Sequence, residues 1–202
     1  MQAGFALGYA SDGCSPAGHG GGRLNENFTI DVSDARLAAL WRHWLAARGG
    51  HAMPSRTAID PAAIVNVLPY IYVYDFRSDS GRFFNRFAGE HIYNTSGVRG
   101  GRRFLDELFT LPVSETIRGW FMRVVGIPSV AHMGVAVKYA SGDEIPGERL
   151  ILPLSSDGRT ADGLIGASVY SREFGLTGGR WVDVSKVEAD YRHLPPLGWQ
   201  PH

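Results

Sequence analysis

A single cysteine, Cys14, stands in a chain of 202 residues. One thiol closes no intrachain disulfide and builds no multi-cysteine metal centre. An excess of either charge is also missing: 20 lysines and arginines face 20 aspartates and glutamates, and the formal net charge is zero. A general binder of nucleic-acid backbone needs a basic field, so no nucleic-acid partner is expected. No apolar run approaches the roughly 20 residues that cross a bilayer, so no membrane span is expected. The opening residues MQAGFALGYA lack a basic start and a long apolar centre and make a poor signal peptide. A reducing, cytoplasmic location is the simplest reading. Catalytic signatures are absent too: there is no Gly-x-Ser-x-Gly elbow, no phosphate loop and no His-Glu-x-x-His. No catalytic residue is assigned, and no enzyme activity is expected.

What is present divides into three stretches. Residues 1–27 are rich in Gly, Ser, Ala and Asn, with little apolar surface to offset the entropy of ordering, and are read as a flexible arm. Residues 28–176 carry all the regular patterning, and 177–202 are read as an irregular tail. A helix is expected from Ser33, taken as its N-cap, to Arg48. On it Leu37, Leu40, Trp41, Trp44 and Leu45 form one apolar stripe, and Gly49-Gly50 ends it. Asp60-Pro61 begins a short helix. Strands are expected at 70–76 and 82–88, joined by the turn Ser78-Asp79-Ser80-Gly81. Short helices follow at Glu90–Asn94 and Arg103–Phe109, then a longer one at Val113–Val125. Three more strands, at 130–139, 148–155 and 162–172, are separated by Gly142, Pro146-Gly147 and Ser156-Asp157-Gly158. The last connections are too short for crossover helices. The fold class is therefore α+β, with the five strands in one antiparallel sheet.

Particular residues sharpen this reading. Arg48-Gly49-Gly50, Met53-Pro54-Ser55-Arg56, Ile59-Asp60-Pro61 and Leu68-Pro69 are followed by Arg86-Phe87-Ala88-Gly89, Gly126-Ile127-Pro128 and Glu148-Arg149-Leu150-Ile151-Leu152-Pro153-Leu154. From about Leu37 to Arg172 the chain resembles a bacterial PAS-like domain family. Together with the hairpin spacing at both ends, the resemblance implies a five-stranded antiparallel sheet whose first strand lies beside its last at the centre, with short helices and one longer helix on one face, plus an N-terminal flanking helix. It also implies a sensory or regulatory role, and it supplies no common ligand or catalytic set. With no output module visible, the signal is expected to pass to a separate protein partner.

The candidate residues follow from this frame. Phe87, Trp120, Phe121, Met133 and Val135 are candidates to line a pocket between the long helix and the sheet, with Arg86 as an anchor for an anionic ligand. The competing reading makes the apolar set plain core and gives Arg86 an ion pair with Asp60, Asp75 or Glu148. Arg99, Arg102 and Arg103 form a basic turn, either an anion site or a solvated surface. Leu37, Trp41 and Trp44 are candidates for a homodimer interface if their stripe is not covered by the chain's own sheet. His91 and His132 lack metal spacing, and the helix 113–125 holds no histidine for haem. A covalent flavin would need a cysteine beside the pocket. No metal and no cofactor are expected. Two functions remain: a small-molecule sensor with an internal pocket, or a ligand-free interaction module with a filled core.

Overall fold

A computed structural model of the chain describes residues 30–98, 101–172 and 181–194. The flexible-arm reading of 1–27 and the anion candidate Arg99 lie outside these residues. In chain order the elements are α1 (Ala35–Arg48), β1 (Ile71–Arg77), β2 (Arg82–Ala88), α2 (Glu90–Ser96), α3 (Leu105–Leu108), α4 (Val113–Gly126), β3 (Ser129–Tyr139), β4 (Glu144–Leu154), β5 (Gly163–Tyr170) and β6 (Trp181–His193). Three single 3-10 turns, at Arg56–Ala58, Ala62–Ile64 and Leu68–Tyr70, carry the chain from α1 to β1.

The strands form one antiparallel sheet of order β2-β1-β5-β4-β3-β6. As expected, the first strand lies beside the fifth, with Ile71 opposite Ala167 and Asp75 opposite Gly163. The strand count of five is corrected to six. Residues 181–193, read from the sequence as part of an irregular tail, extend the sheet beyond β3. Trp181 anchors that strand: it is buried, stacks on Phe109 at 5.6 Å and donates from Nε1 to the Tyr139 hydroxyl at 3.3 Å.

β4 starts at Glu144, four residues before its expected beginning, and Pro146-Gly147 lies within it rather than in a turn. The Pro146 carbonyl accepts from the Ser171 N–H at 3.0 Å. A strand residue points its N–H and C=O the same way, so the missing proline N–H faces the chain just past β5, where the ladder has ended. Gly147 is required by close approach. A Cβ there would lie 2.4 Å from Cδ1 of Tyr170, whose ring crosses the strand at that point.

Successive strand residues point to opposite faces. Arg149 lies under the Trp120 ring of α4, with its guanidinium carbon 5.1 Å from the ring centroid. Its neighbour Glu148 instead accepts from the backbone and hydroxyl of Ser33 and from the Asp34 N–H, at the start of α1. The helices α4 and α1 therefore cover opposite faces of the sheet. Every residue of β5 is buried, as a central strand covered on both sides requires. Asp34, not Ser33, caps α1, with its carboxylate accepting from the Arg36 and Leu37 N–H groups. Ser33 is spent on Glu148 instead.

The interface assignment of Leu37, Trp41 and Trp44 is corrected. All three side chains are buried within the chain itself, and Trp44 Nε1 donates to the Pro153 carbonyl of β4 at 2.9 Å. Covering these three apolar side chains contributes about 1.5–3 kcal/mol each, which a surface stripe awaiting a partner would forgo.

Candidate functional site

β1, β4, β5 and α4 converge on one buried cation. Arg149 is 3% exposed. Its Nε donates to the Ser168 hydroxyl and its Nη2 to the Tyr170 hydroxyl, each at 2.9 Å. The Tyr72 and Trp120 rings flank it, at 5.9 and 5.1 Å from the guanidinium carbon. Among the described residues no carboxylate pairs with it, and Nη1 makes no hydrogen bond. Burial pulls its pKa down, but the oxygens of Tyr170 and Tyr72 outweigh that effect and hold it above the ordinary arginine value. The guanidinium therefore stays charged.

Arg149 borders a cavity of about 30 Å³ whose wall also includes Tyr72, Tyr74, Phe121, Ser168 and Trp181. That volume holds on the order of one water. The Tyr72 hydroxyl is buried and makes no hydrogen bond of ordinary geometry among the described residues; its neighbour Ser168 is engaged by Arg149. Burial pushes the Tyr72 phenol up to about 12, so it is an O–H donor at neutral pH. Gly166 makes this arrangement sterically feasible. Tyr72 sits opposite it across β1 and β5, and a Cβ at 166 would lie 2.4 Å from the ring. Phe121 stacks on Tyr72 at 5.8 Å and meets Phe83 edge-on at 5.2 Å, closing the wall from α4.

The sequence candidates fall in different places. Phe121 lines the cavity, and Trp120 covers Arg149. Met133 and Val135 are fully buried on β3 and belong to the core without lining the cavity. Phe87 is 42% exposed near the end of β2, which removes it from the pocket. Arg86 is removed as well. It occupies the irregular step of the β1–β2 register and turns onto Asp75, which it shares with Arg56 and Arg77. Asp75 is buried while the three arginines are nearly half exposed. This is the structural pairing that competed with the ligand-anchor reading. Arg102 and Arg103 are exposed. The Arg102 N–H donates to the Asn85 carbonyl at 2.9 Å, and Arg103 Nη2 to the Glu107 carbonyl at 2.9 Å.

Arg149 itself escaped the sequence reading as a functional residue. Glu148-Arg149 looks like an exposed charged pair at the head of an apolar strand. Its signal was present all the same: Arg149 shares parity with Ile151 and Pro153, a lone cation on an otherwise apolar face. His132, the other charged group near this strand, contacts Glu148 through Nε2 at 2.6 Å, on the face opposite Arg149. No group of three or more metal-ligating side chains occurs among the described residues.

Residues 32–169 match the protein family described as PAS domain, a span from just before α1 to the end of β5. The chain belongs to the PAS domain family. Membership points to a sensory or regulatory role, and the matched span of this PAS domain includes Arg149 and leaves out β6. Among solved structures, the PAS domain is similar to the periplasmic sensory domain of the Campylobacter jejuni chemoreceptor Tlp1, at 11% identity and a TM-score of 0.31. The match covers 67% of this chain and 54% of that one, so the chain spans about half the length of that relative. At that score the likeness adds nothing to the assignment. No curated protein matches. Among the described residues no helix is long and apolar enough to cross a membrane.

Proposed function

We propose that this PAS domain is a cytoplasmic, non-catalytic sensor that takes a small molecule between the sheet and α4 and signals by contact with a separate protein. One observation carries the reading. A core held only for stability spends its buried polar groups on one another, since each one left over costs about 1–3 kcal/mol. Here the Tyr72 hydroxyl is left over beside the cavity, and the two hydrogen bonds of Arg149 leave its Nη1 unspent at the same wall. The readout has a short path. Arg149 and Glu148 are adjacent on β4, and Glu148 holds the start of α1 through three hydrogen bonds. A displacement of β4 on one face thus reaches the helix on the other. Coupling of about 1–3 kcal/mol is ordinary for such linkage.

The filled-core interaction module also has an observation in its favour: about 30 Å³ is far below the roughly 300–1,000 Å³ of ordinary ligand pockets. Native mass spectrometry of protein purified without added ligand, together with a metabolite melting screen, separates the two. A retained or stabilising compound that shifts Trp120 emission supports the sensor. A mass equal to the bare chain, with no stabilising compound in the screen, supports the interaction module.

A further inference from the structure

We infer that the internal site takes a compact planar anion, a carboxylate or similar oxyanion of few heavy atoms, held by Arg149. The inference rests on the sensor reading above and names its ligand class. Charge carries the first part. Several arginines near the sheet face acids: Arg56, Arg77 and Arg86 share Asp75, and Arg82 reaches Asp106 and Glu107. Arg149 is more deeply buried than these and has none among the described residues. A charge taken out of water needs a counter-charge, and rings and hydroxyls supply only part of one.

Hydrogen-bonding capacity carries the second part. The guanidinium has five N–H donors, and its two bonds here leave Nη1 unspent. The Tyr72 hydroxyl, kept protonated by burial, adds an O–H. The unspent groups at this site are therefore donors. A ligand that accepts through two coplanar oxygens matches a guanidinium edge, and a cationic ligand is repelled. Size carries the third part. The cavity of about 30 Å³ is walled by Tyr72, Tyr74 and Phe121 and as it stands holds about one water, so a ligand of few heavy atoms enters only with a small outward shift of α4, and a larger one is shut out.

Formate, acetate and nitrate are the probes, titrated at constant ionic strength against formamide and acetamide as neutral counterparts. Binding is followed by Trp120 emission, melting temperature and calorimetry. The expected result is saturable stabilisation by at least one anion and none by the amides. Arg149→Met should weaken that anion by at least about tenfold, as loss of a charge-assisted hydrogen bond requires. Tyr72→Phe removes a hydroxyl that makes no hydrogen bond of ordinary geometry, so it is expected to fold, and it should weaken the anion several-fold; it keeps the test decisive if Arg149→Met does not fold. Binding by the amides but not the anions overturns the ligand class and leaves the sensor reading standing. Anion binding unchanged in Tyr72→Phe and in folded Arg149→Met places the anion elsewhere and overturns the site. No binding by any probe overturns the inference; if the metabolite screen is also empty, the sensor reading falls with it.

Discussion

Gly166→Ala is the sharpest test of how the Arg149 chamber is built. The new Cβ would lie 2.4 Å from Cζ of Tyr72 and 2.5 Å from both Cε2 and the hydroxyl oxygen. Non-bonded carbons settle at about 3.5–4.0 Å, so the ring must retreat by roughly an ångström. Its retreat is confined to the small cavity that it borders. Tyr72 is buried, Phe121 is stacked on it, and Tyr74 meets it edge-on with centroids 6.1 Å apart. The backbone of β5 cannot yield either, because β1 and β4 pin it on both sides. Overpacking a core costs about 1–3 kcal/mol, and a stacked ring with so little free space beside it puts this site at the upper end. At about 2–4 °C per kcal/mol for a chain of this size, the melting temperature should fall by roughly 6–12 °C. Thermal melts and urea titrations of wild type, Gly166→Ala, Tyr72→Ala and the double variant form a cycle. Tyr72→Ala alone should cost about 3–5 kcal/mol. In that background the added methyl meets no ring and should cost less than about 0.5 kcal/mol, so the two changes couple strongly. A single variant that melts within about 1 °C of wild type, or two changes that simply add, would refute the reasoning.

Three further outcomes follow from contacts described above. Trp44→Phe keeps the packing of α1 but strands the Pro153 carbonyl; chemical denaturation should register a loss of about 1–3 kcal/mol. Glu148→Ala releases the Ser33 and Asp34 N–H groups, and hydrogen exchange should quicken at those two amides while those of β5 stay protected. The Asp34 carboxyl is held below its ordinary pKa, first by the Arg36 side chain. Its contribution is therefore complete at neutral pH and is lost as pH falls below about 4. Asp34→Ala should cost about 1 kcal/mol at pH 7 and markedly less at pH 3, as measured by urea unfolding at each pH.

Most of the sheet was legible because its signals are local. Alternation in Tyr70–Phe76 and the Ser78–Gly81 turn specify a hairpin, and the short gaps after residue 139 leave only antiparallel neighbours. The stripe on α1 was legible as apolar, but a helix does not say what covers it; the Pro153 carbonyl that meets Trp44 lies on a distant strand. Pro146-Gly147 misled because the same dipeptide serves a turn and a crossing ring, and only the position of Tyr170 distinguishes them. β6 had a usable pattern, with charges at 186, 188, 190 and 192 alternating with Val187, Ala189 and Tyr191, but its polarity reads as tail. The chamber was hidden for a different reason. Tyr72, Arg149 and Ser168 come from three strands, and which face each one takes depends on pairings that no single stretch encodes.

The strand order also imposes a timetable on synthesis. β1 can pair with β2 as soon as the hairpin leaves the ribosome, but its other neighbour lies roughly ninety residues downstream, a closure costing about 4 kcal/mol. At about 5–20 residues per second, the nascent hairpin carries a bare edge for roughly 5–20 seconds. An edge of that kind invites strands from other chains. Asp75 and its arginines at 56, 77 and 86 lie within the stretch already made by then. They leave two uncompensated positive charges, and Arg56 approaches the position that Gly163 will take opposite Asp75. Net charge beside an open edge is the pattern by which gatekeeper residues disfavour pairing with stray strands, and here it lies where β5 later closes the gap.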